Sequence, residues 1–130
     1  MASTFHLTII TPERTFFEGD VNFSEFTTEE GRVGIYPGHE ALTLMLAPGV
    51  LLIRTENGDR KAAMHKGFAE ILPDRVTVLA QIAEWPEEID RNRAEEDRIK
   101  AERALQEDGS SAKDEIRLRR AIARIEASKG

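Results

Sequence analysis

Val76-Thr77-Val78-Leu79-Ala80-Gln81-Ile82-Ala83-Glu84-Trp85-Pro86-Glu87-Glu88 contains a change of backbone chemistry within thirteen residues. Val76, Val78, Ala80 and Ile82 share one parity, so as a strand they are expected to face one core together. Pro86 then suits the first position of a helix, where its missing N–H costs nothing, and Glu87, Glu88 and Asp90 favour the positive end of a helix dipole. The stretch divides the chain into strands before it and helices after it.

Upstream, β-branched and aromatic residues recur in short runs: Phe5 to Ile10, Val21 to Phe26, Val50 to Arg54 and Phe68 to Leu72. Asn57-Gly58 between two runs is a hairpin signal, and Pro48-Gly49 and Pro73-Asp74 supply further turns. So many short strands in residues 1–84 predict an antiparallel two-layer β-sandwich. Downstream, residues 85–130 read as an antiparallel helical hairpin broken at Asp108-Gly109-Ser110-Ser111, with Ser111 as N-cap of the second helix ahead of Asp114 and Glu115. Leu118, Ala121, Ile122 and Ile125 form one narrow apolar stripe, while Ala94, Ala101 and Leu105 in the first helix are interrupted by Arg98. Residues 86–108 hold nine acids against five bases, whereas residues 117–129 hold five bases against Glu126 alone. Opposite signs favour pairing of the two helices, although exposed ion pairs contribute only about 0–1 kcal/mol each.

The chain has 130 residues, 40% of them hydrophobic, which suits one modest core with an appendage. The absence of cysteine excludes disulfides, cysteine-ligated zinc and cysteine nucleophiles. Met1-Ala2-Ser3-Thr4 carries no basic region and runs into alternating Phe5, Leu7 and Ile9, so it reads as a strand rather than a signal peptide. No apolar run approaches the roughly 18 residues of a membrane span, and a net charge of −6 argues against generic nucleic-acid or anionic-lipid binding. His6, His39 and His65 lack metal-ligand spacing, and neither a Walker A nor a Rossmann glycine pattern occurs, so an enzyme reading has little support.

About six aliphatic side chains, from Ile89 and Ile99 to Ile125, must hold some forty residues of hairpin in place. Each contributes roughly 1.5–3 kcal/mol if fully buried, against about 1–2 kcal/mol of backbone entropy per residue before helix hydrogen bonds offset it. The hairpin is therefore expected to be marginal unless docked, and able to exchange one docking surface for another.

Gly31-Arg32-Val33-Gly34-Ile35-Tyr36-Pro37-Gly38-His39 packs three glycines and a proline into nine residues, which predicts one shaped, exposed loop. With Thr11-Pro12-Glu13, Phe17-x-Gly19, Pro48-Gly49-Val50, Gly67-Phe68 and the Val76 to Ala80 run in this order, the chain resembles the epsilon subunits of F-type ATP synthases, of bacterial type. The resemblance implies a ten-stranded sandwich seated on the gamma subunit and the membrane-embedded c ring, turning with them, and no catalysis in this chain. It implies a peripheral position at the cytoplasmic face of the bacterial plasma membrane, held there through the complex.

By the same resemblance, Glu30, Gly31 and Arg32 meet the c ring, and His39 with Ala41, Leu42, Thr43 and Leu44 lies toward gamma. Ile89-Asp90-x-x-Arg93-Ala94 matches the motif of bacterial members that bind a regulatory ATP in the folded hairpin; no cofactor is required. Similarity adds Glu84, Arg120 and Arg124 to that site, with Lys100 where nucleotide-binding members carry arginine and Arg98 rotated away from it. A carboxylate such as Asp90 suits the adenine amino group, and Arg93, Arg120 and Arg124 suit a triphosphate. Arg120 and Arg124, four residues apart, share one helix face. The ordinary alternative is that Asp90 serves the helix dipole, Arg93 pairs with it, His39 satisfies a backbone carbonyl and the arginines are solvated. Family behaviour implies that an extended hairpin reaches the alpha and beta catalytic subunits and hinders hydrolysis, with Arg117, Arg119 and Arg120 as contacts. The rival reading is a free-standing β-sandwich adaptor whose hairpin binds partner helices.

Overall fold

The computed structural model describes residues 3–108 and 111–129. Ten strands run through the first part: β1 (Phe5–Ile10), β2 (Thr15–Val21), β3 (Phe23–Thr28), β4 (Gly31–Ile35), β5 (Leu42–Leu46), β6 (Gly49–Thr55), β7 (Gly58–Met64), β8 (Gly67–Ile71), β9 (Arg75–Ala80) and β10 (Ala83–Glu84). They form two five-stranded sheets, β2-β1-β9-β8-β5 and β10-β7-β6-β3-β4, in which β1 and β9 are parallel and the other neighbours antiparallel. Alternation along the strands sends Leu7, Ile9, Val76, Val78 and Ile71 from one sheet against Phe26, Leu51, Ile53 and Met64 from the other, all buried. The expected sandwich is present. Ile82 departs from its expected parity, because β9 ends at Ala80; it is 37% exposed while Val76, Val78 and Ala80 are buried.

Two hairpins of the second sheet share one turn design. In Thr28-Glu29-Glu30-Gly31 and Thr55-Glu56-Asn57-Gly58, the threonine hydroxyl donates to the glycine carbonyl at 2.8 and 3.2 Å and accepts the third residue's N–H at 3.2 and 3.1 Å. Gly31 and Gly58 take φ of 128° and 114°, which only glycine adopts without strain. The Asn57-Gly58 signal therefore marks a true hairpin, although the turn residues are Glu56 and Asn57. The same design corrects the reading of Gly31 to His39 as a single loop: its first five residues are β4, and only residues 36–41 form the connection to β5.

After β10, Pro86 takes the first position of a helical turn as expected, but the turn is not yet the α-helix. Pro86–Glu88 is one 3-10 turn, and the first α-helix, α1 (Arg91–Asp108), starts after Asp90. Asp90 is the cap: its Oδ1 accepts the Arg93 N–H at 3.1 Å and its carbonyl the Ala94 N–H at 3.0 Å. Glu88 has a different task from the one expected. It accepts two bonds from Arg14, both 2.8 Å, and the Trp85 N–H at 2.9 Å. Trp85 stacks on Phe16 at 4.1 Å between ring centroids, with the Arg60 guanidinium 3.7 Å from its ring.

The second helix, α2 (Ala112–Ser128), has Ser111 at its N-cap position without a side-chain bond, so the cap is geometric only. Gly109 and Ser110, in the expected break, and Met1 and Ala2 lie outside the described residues. α2 packs across β6 and β7, and α1 packs on α2. The buried residues of α2 are Ala121, Ala123, Ile125 and Ala127, whereas Ile122 is 42% exposed. Ala121 and Ile125 of the expected stripe are thus buried as expected, and the buried face widens to Ala123 and Ala127, which sit on Ala63 with Val50 and Ile89 beside them. Among the described residues, the helix ion pairs run along one helix, as in Arg98 with Glu95 and Glu102, or to the sandwich, as in Arg119 with Glu29, rather than from helix to helix.

Gly67 pairs with Ala80 where β8 and β9 approach closely; a Cβ on it would enter the Leu79 carbonyl oxygen and lie 2.9 Å from the Ala80 Cα. Gly67→Ala is expected to lower stability by about 1–3 kcal/mol in urea unfolding, since backbone and not a side chain must give way.

Candidate functional site

Glu84 stands at the end of β10, Asp90 caps α1, Arg93 and Ala94 occupy its first turn, and Arg124 projects from α2. Together with Glu88 and Asp97 they line a depression of about 280 Å³. Lys100, Arg120 and Arg124 line an adjoining one of about 270 Å³ with Asp97, Ala101, Ala104, Asp114 and Arg117. Arg124 and Asp97 belong to both, so the two form one cleft along the groove between the helices. Ile89 stays out of it and packs on the Ala63 cluster instead.

The polar contacts of the cleft converge on one carboxylate. Glu84 Oε1 accepts from Arg124 Nε at 2.7 Å and from His65 Nε2 at 3.4 Å. These hydrogen bonds, from His65 and from Arg124, hold the Glu84 carboxyl below its ordinary range although partial burial opposes them. His65 is completely buried, and burial pushes its imidazole down despite Glu84, with Arg124 and Arg120 adding to the effect. Arg120 Nε is buried without a hydrogen-bond partner among the described residues, so an anion entering here would satisfy it. Arg93 is exposed, and its main-chain N–H rather than its guanidinium engages Asp90. The cleft can accept a polyanion along Arg93, Lys100, Arg120 and Arg124, with Asp97 and Asp114 limiting how much negative charge it tolerates.

Sequence reasoning missed His65, Asp97 and Asp114. His65 follows the last residue of β7 in a turn, and no periodicity announces a buried imidazole there; the acids are indistinguishable by pattern from solvated helix charges.

The sheet edge divides the second group of candidates. Glu30, Gly31, Arg32, Thr43 and Leu44 line a shallow depression of about 480 Å³ between the edge strands β4 and β5. His39, which is half-buried, and the exposed Ala41 and Leu42 lie outside it. His39 Nδ1 donates to the Glu40 carbonyl at 2.8 Å. Arg32 is engaged by its own sheet, donating to Glu25 at 2.6 Å and to the Val50 carbonyl at 3.1 Å. Glu30 keeps an exposed side chain at the turn, while its neighbour Glu29 is bound by Arg119 of α2 at 3.0 Å.

A further feature had no signal in the sequence. The outer face of the first sheet carries a cross-strand row, Ile10–Leu79–Phe68–Met45, set by the registers of β1, β9, β8 and β5. These side chains are 37, 41, 39 and 67% exposed and line an apolar groove of about 480 Å³. The preceding row, Thr8–Thr77–Glu70–Thr43, is polar, so the apolar face is confined to one end of the sheet.

Residues 4–86 match the family model described as ATP synthase, Delta/Epsilon chain, beta-sandwich domain. The ATP synthase epsilon chain of Clostridium novyi (strain NT) is 42% identical over 129 residues, covering 97% of this chain and 98% of that one. The chain belongs to the ATP synthase epsilon-chain family. The epsilon chain of Herpetosiphon aurantiacus is likewise 42% identical, over 95% of this chain and 93% of its own length. Family membership therefore extends through the hairpin, beyond the sandwich that the family model covers. A chain in the cryo-EM structure of the Euglena gracilis mitochondrial ATP synthase, OSCP/F1/c-ring, superposes with a TM-score of 0.84 at 26% identity, over 98% of this chain and 82% of that one. A chain of the Tetrahymena thermophila central stalk and c ring shares the fold, with a TM-score of 0.64 at 18% identity.

Within this epsilon-family chain, the Arg124–Glu84 bond is the main polar tie between hairpin and sandwich at the cleft. Arg124→Ala is expected to cost about 1.5–3 kcal/mol of hairpin docking, the range for a hydrogen bond to a charged group. Hydrogen exchange should show faster exchange across α2 while the strands keep their protection.

Proposed function

We propose that the protein is a non-catalytic rotor subunit of the proton-translocating ATP synthase, whose sandwich rides on gamma and the c ring and whose hairpin restrains ATP hydrolysis. The observation that carries this reading is the Ile10–Leu79–Phe68–Met45 row. An apolar groove of this size at one end of an otherwise polar sheet face suits burial against another subunit, and gamma is its occupant. Glu30, exposed at the β3–β4 turn, meets the polar loops of the ring, where a charge adds specificity and encounter rate more than affinity. No described helix is long and apolar enough to cross a membrane. In this reading the subunit is peripheral, at the cytoplasmic face, and reaches the membrane through the complex.

The hairpin supplies regulation. Its contact with the sandwich is built from alanines and a few ion pairs, which favours a few-kcal/mol exchange between a folded-down and an extended state. Regulatory ATP binds the cleft, with its phosphates on Arg93, Lys100, Arg120 and Arg124, and holds the hairpin down by its differential affinity for that state. The extended hairpin rises into the alpha and beta subunits and hinders hydrolysis.

Phe68→Asp with Leu79→Asp places charge on exposed positions and leaves the core intact, so the variant should fold but no longer co-purify with gamma. Retained association would remove the docking face, and a wild-type chain that ignores gamma altogether would favour the adaptor reading. Calorimetry with millimolar ATP should show binding that Arg120→Ala, Arg124→Ala abolishes; no response from the wild type would refute the nucleotide site. Reversal of Glu30 to lysine should weaken coupling of proton flow to ATP turnover in the reconstituted enzyme.

A further inference from the structure

His65 sits where the sandwich meets the hairpin and takes no part in the function proposed above. Its ring is fully buried, with Nε2 at 3.4 Å from Glu84 Oε1 and Nδ1 without a hydrogen-bond partner among the described residues. With neutral imidazole, the contact with Glu84 assigns the proton to Nε2 and leaves Nδ1 as an orphan acceptor, the cheaper kind of unpaired group. A second proton would create a buried donor with nothing to receive it.

The surrounding charges act in the same direction. From β10, Glu84 faces the ring, but its nearer partner is Arg124, at 2.7 Å. From α2, Arg124 and Arg120 both act on His65 as positive charges. From α1, Asp90, Arg93 and Asp97 line the cleft that Glu84 and Arg124 share, together with Glu88 of the preceding turn. A charged imidazole, itself fully buried, would be a third cation competing for one carboxylate.

We propose that His65 is a proton-sensitive latch: while neutral it allows α2 to close over Glu84, and when it takes up a proton it drives Arg124 and α2 off the sandwich. This rests on the mobile hairpin proposed above. Displacing α2 removes two cations and frees Glu84 for the ring, so the open state holds the extra proton better. His65 is held below its ordinary value of 6.5 in the docked state. The docked state consequently keeps its full advantage above about pH 6.5 and loses it progressively as the pH falls below that. His6 is instead raised by its bonds to Glu18 and Asp20 on the far edge strand, so acid tightens that contact. Acid release of the hairpin therefore has no source there. The device would give a subunit that engages its brake when the surrounding solution acidifies.

The chain has no cysteine, so nitroxide labels can be placed through Glu56→Cys and Glu96→Cys, both exposed, one on the sandwich and one on α1. Pulsed dipolar spectroscopy of the full chain should show the long-distance population rising at least about fivefold between about pH 7.5 and 5.5. In His65→Gln the population should be independent of pH. Equal populations at both pH values in the wild type, with opening still seen in Arg124→Ala, overturn the latch and leave the mobile hairpin standing. A closed hairpin in every sample, Arg124→Ala included, overturns both. If His65→Gln fails to fold, the wild-type ring answers the question. Its carbon-bound proton resonances should titrate with the same midpoint as the distance change, and titration without a distance change overturns the proposal.

Discussion

The bond between Glu84 and Arg124 joins the two parts of this molecule where they are otherwise held by methyl groups. The helix α2 approaches the face of β6 and β7 through small residues, with Ala123 and Ala127 on Ala63. Alanine methyls carry far less transfer free energy than the roughly 1.5–3 kcal/mol of a buried leucine or isoleucine. The contact therefore fixes where the hairpin lies without making the docking strong, and polar groups decide how firmly it stays. Glu84 holds one guanidinium and one imidazole at once, so anything that competes for either partner is felt by the helix. An anion drawn to Arg120 and Arg124 and a proton drawn to His65 act on the same short chain of contacts.

The sandwich was largely legible because its rule is local. Parity placed Val76, Val78 and Ala80 inside, and the turn residues separated the strands almost where the sheets separate them. An error arose where a turn and a strand share glycine: Gly31 opens a strand rather than a loop, since its positive φ completes the turn at the first residue of the next strand, as Gly58 does in the hairpin that was read correctly. Ile82 broke parity because a strand ended two residues earlier than its alternation. In the hairpin, period placed Ala121 and Ile125 inside correctly but also Ile122, which is exposed, and it missed Ala123 and Ala127, whose burial depends on Ala63 of the partner sheet and not on any property of α2 by itself.

The site was half legible. A motif at residues 89–94 and two arginines four apart brought Glu84, Asp90, Arg93, Lys100, Arg120 and Arg124 into one cleft, although Ile89 turned inward. The edge candidates separated: Glu30, Gly31, Arg32, Thr43 and Leu44 share one depression, whereas His39, bound to the adjacent carbonyl, lies outside it with Ala41 and Leu42. The apolar row across β1, β9, β8 and β5 was invisible for a different reason. Each strand contributes one residue to it, and only the register between strands shows that the four are neighbours.

The segment between the two parts is held far more tightly than the hairpin it carries. Trp85 is locked between Phe16 and the Arg60 guanidinium, and Glu88 is tied to Arg14 by two bonds and to the Trp85 N–H by a third. Moving these residues means exposing a large aromatic ring of the sandwich core, at a cost comparable to the 3–5 kcal/mol of truncating it. Moving α2 exposes alanines and breaks two ion pairs, Arg124 with Glu84 and Arg119 with Glu29. The weaker set of contacts yields first, so a displacement of the hairpin begins after Glu88. Ile89 and Asp90 then absorb the change in backbone direction: Ile89 is already extended, with φ −89° and ψ 127°, and Asp90 keeps its capping bonds to α1 whichever way the helix points.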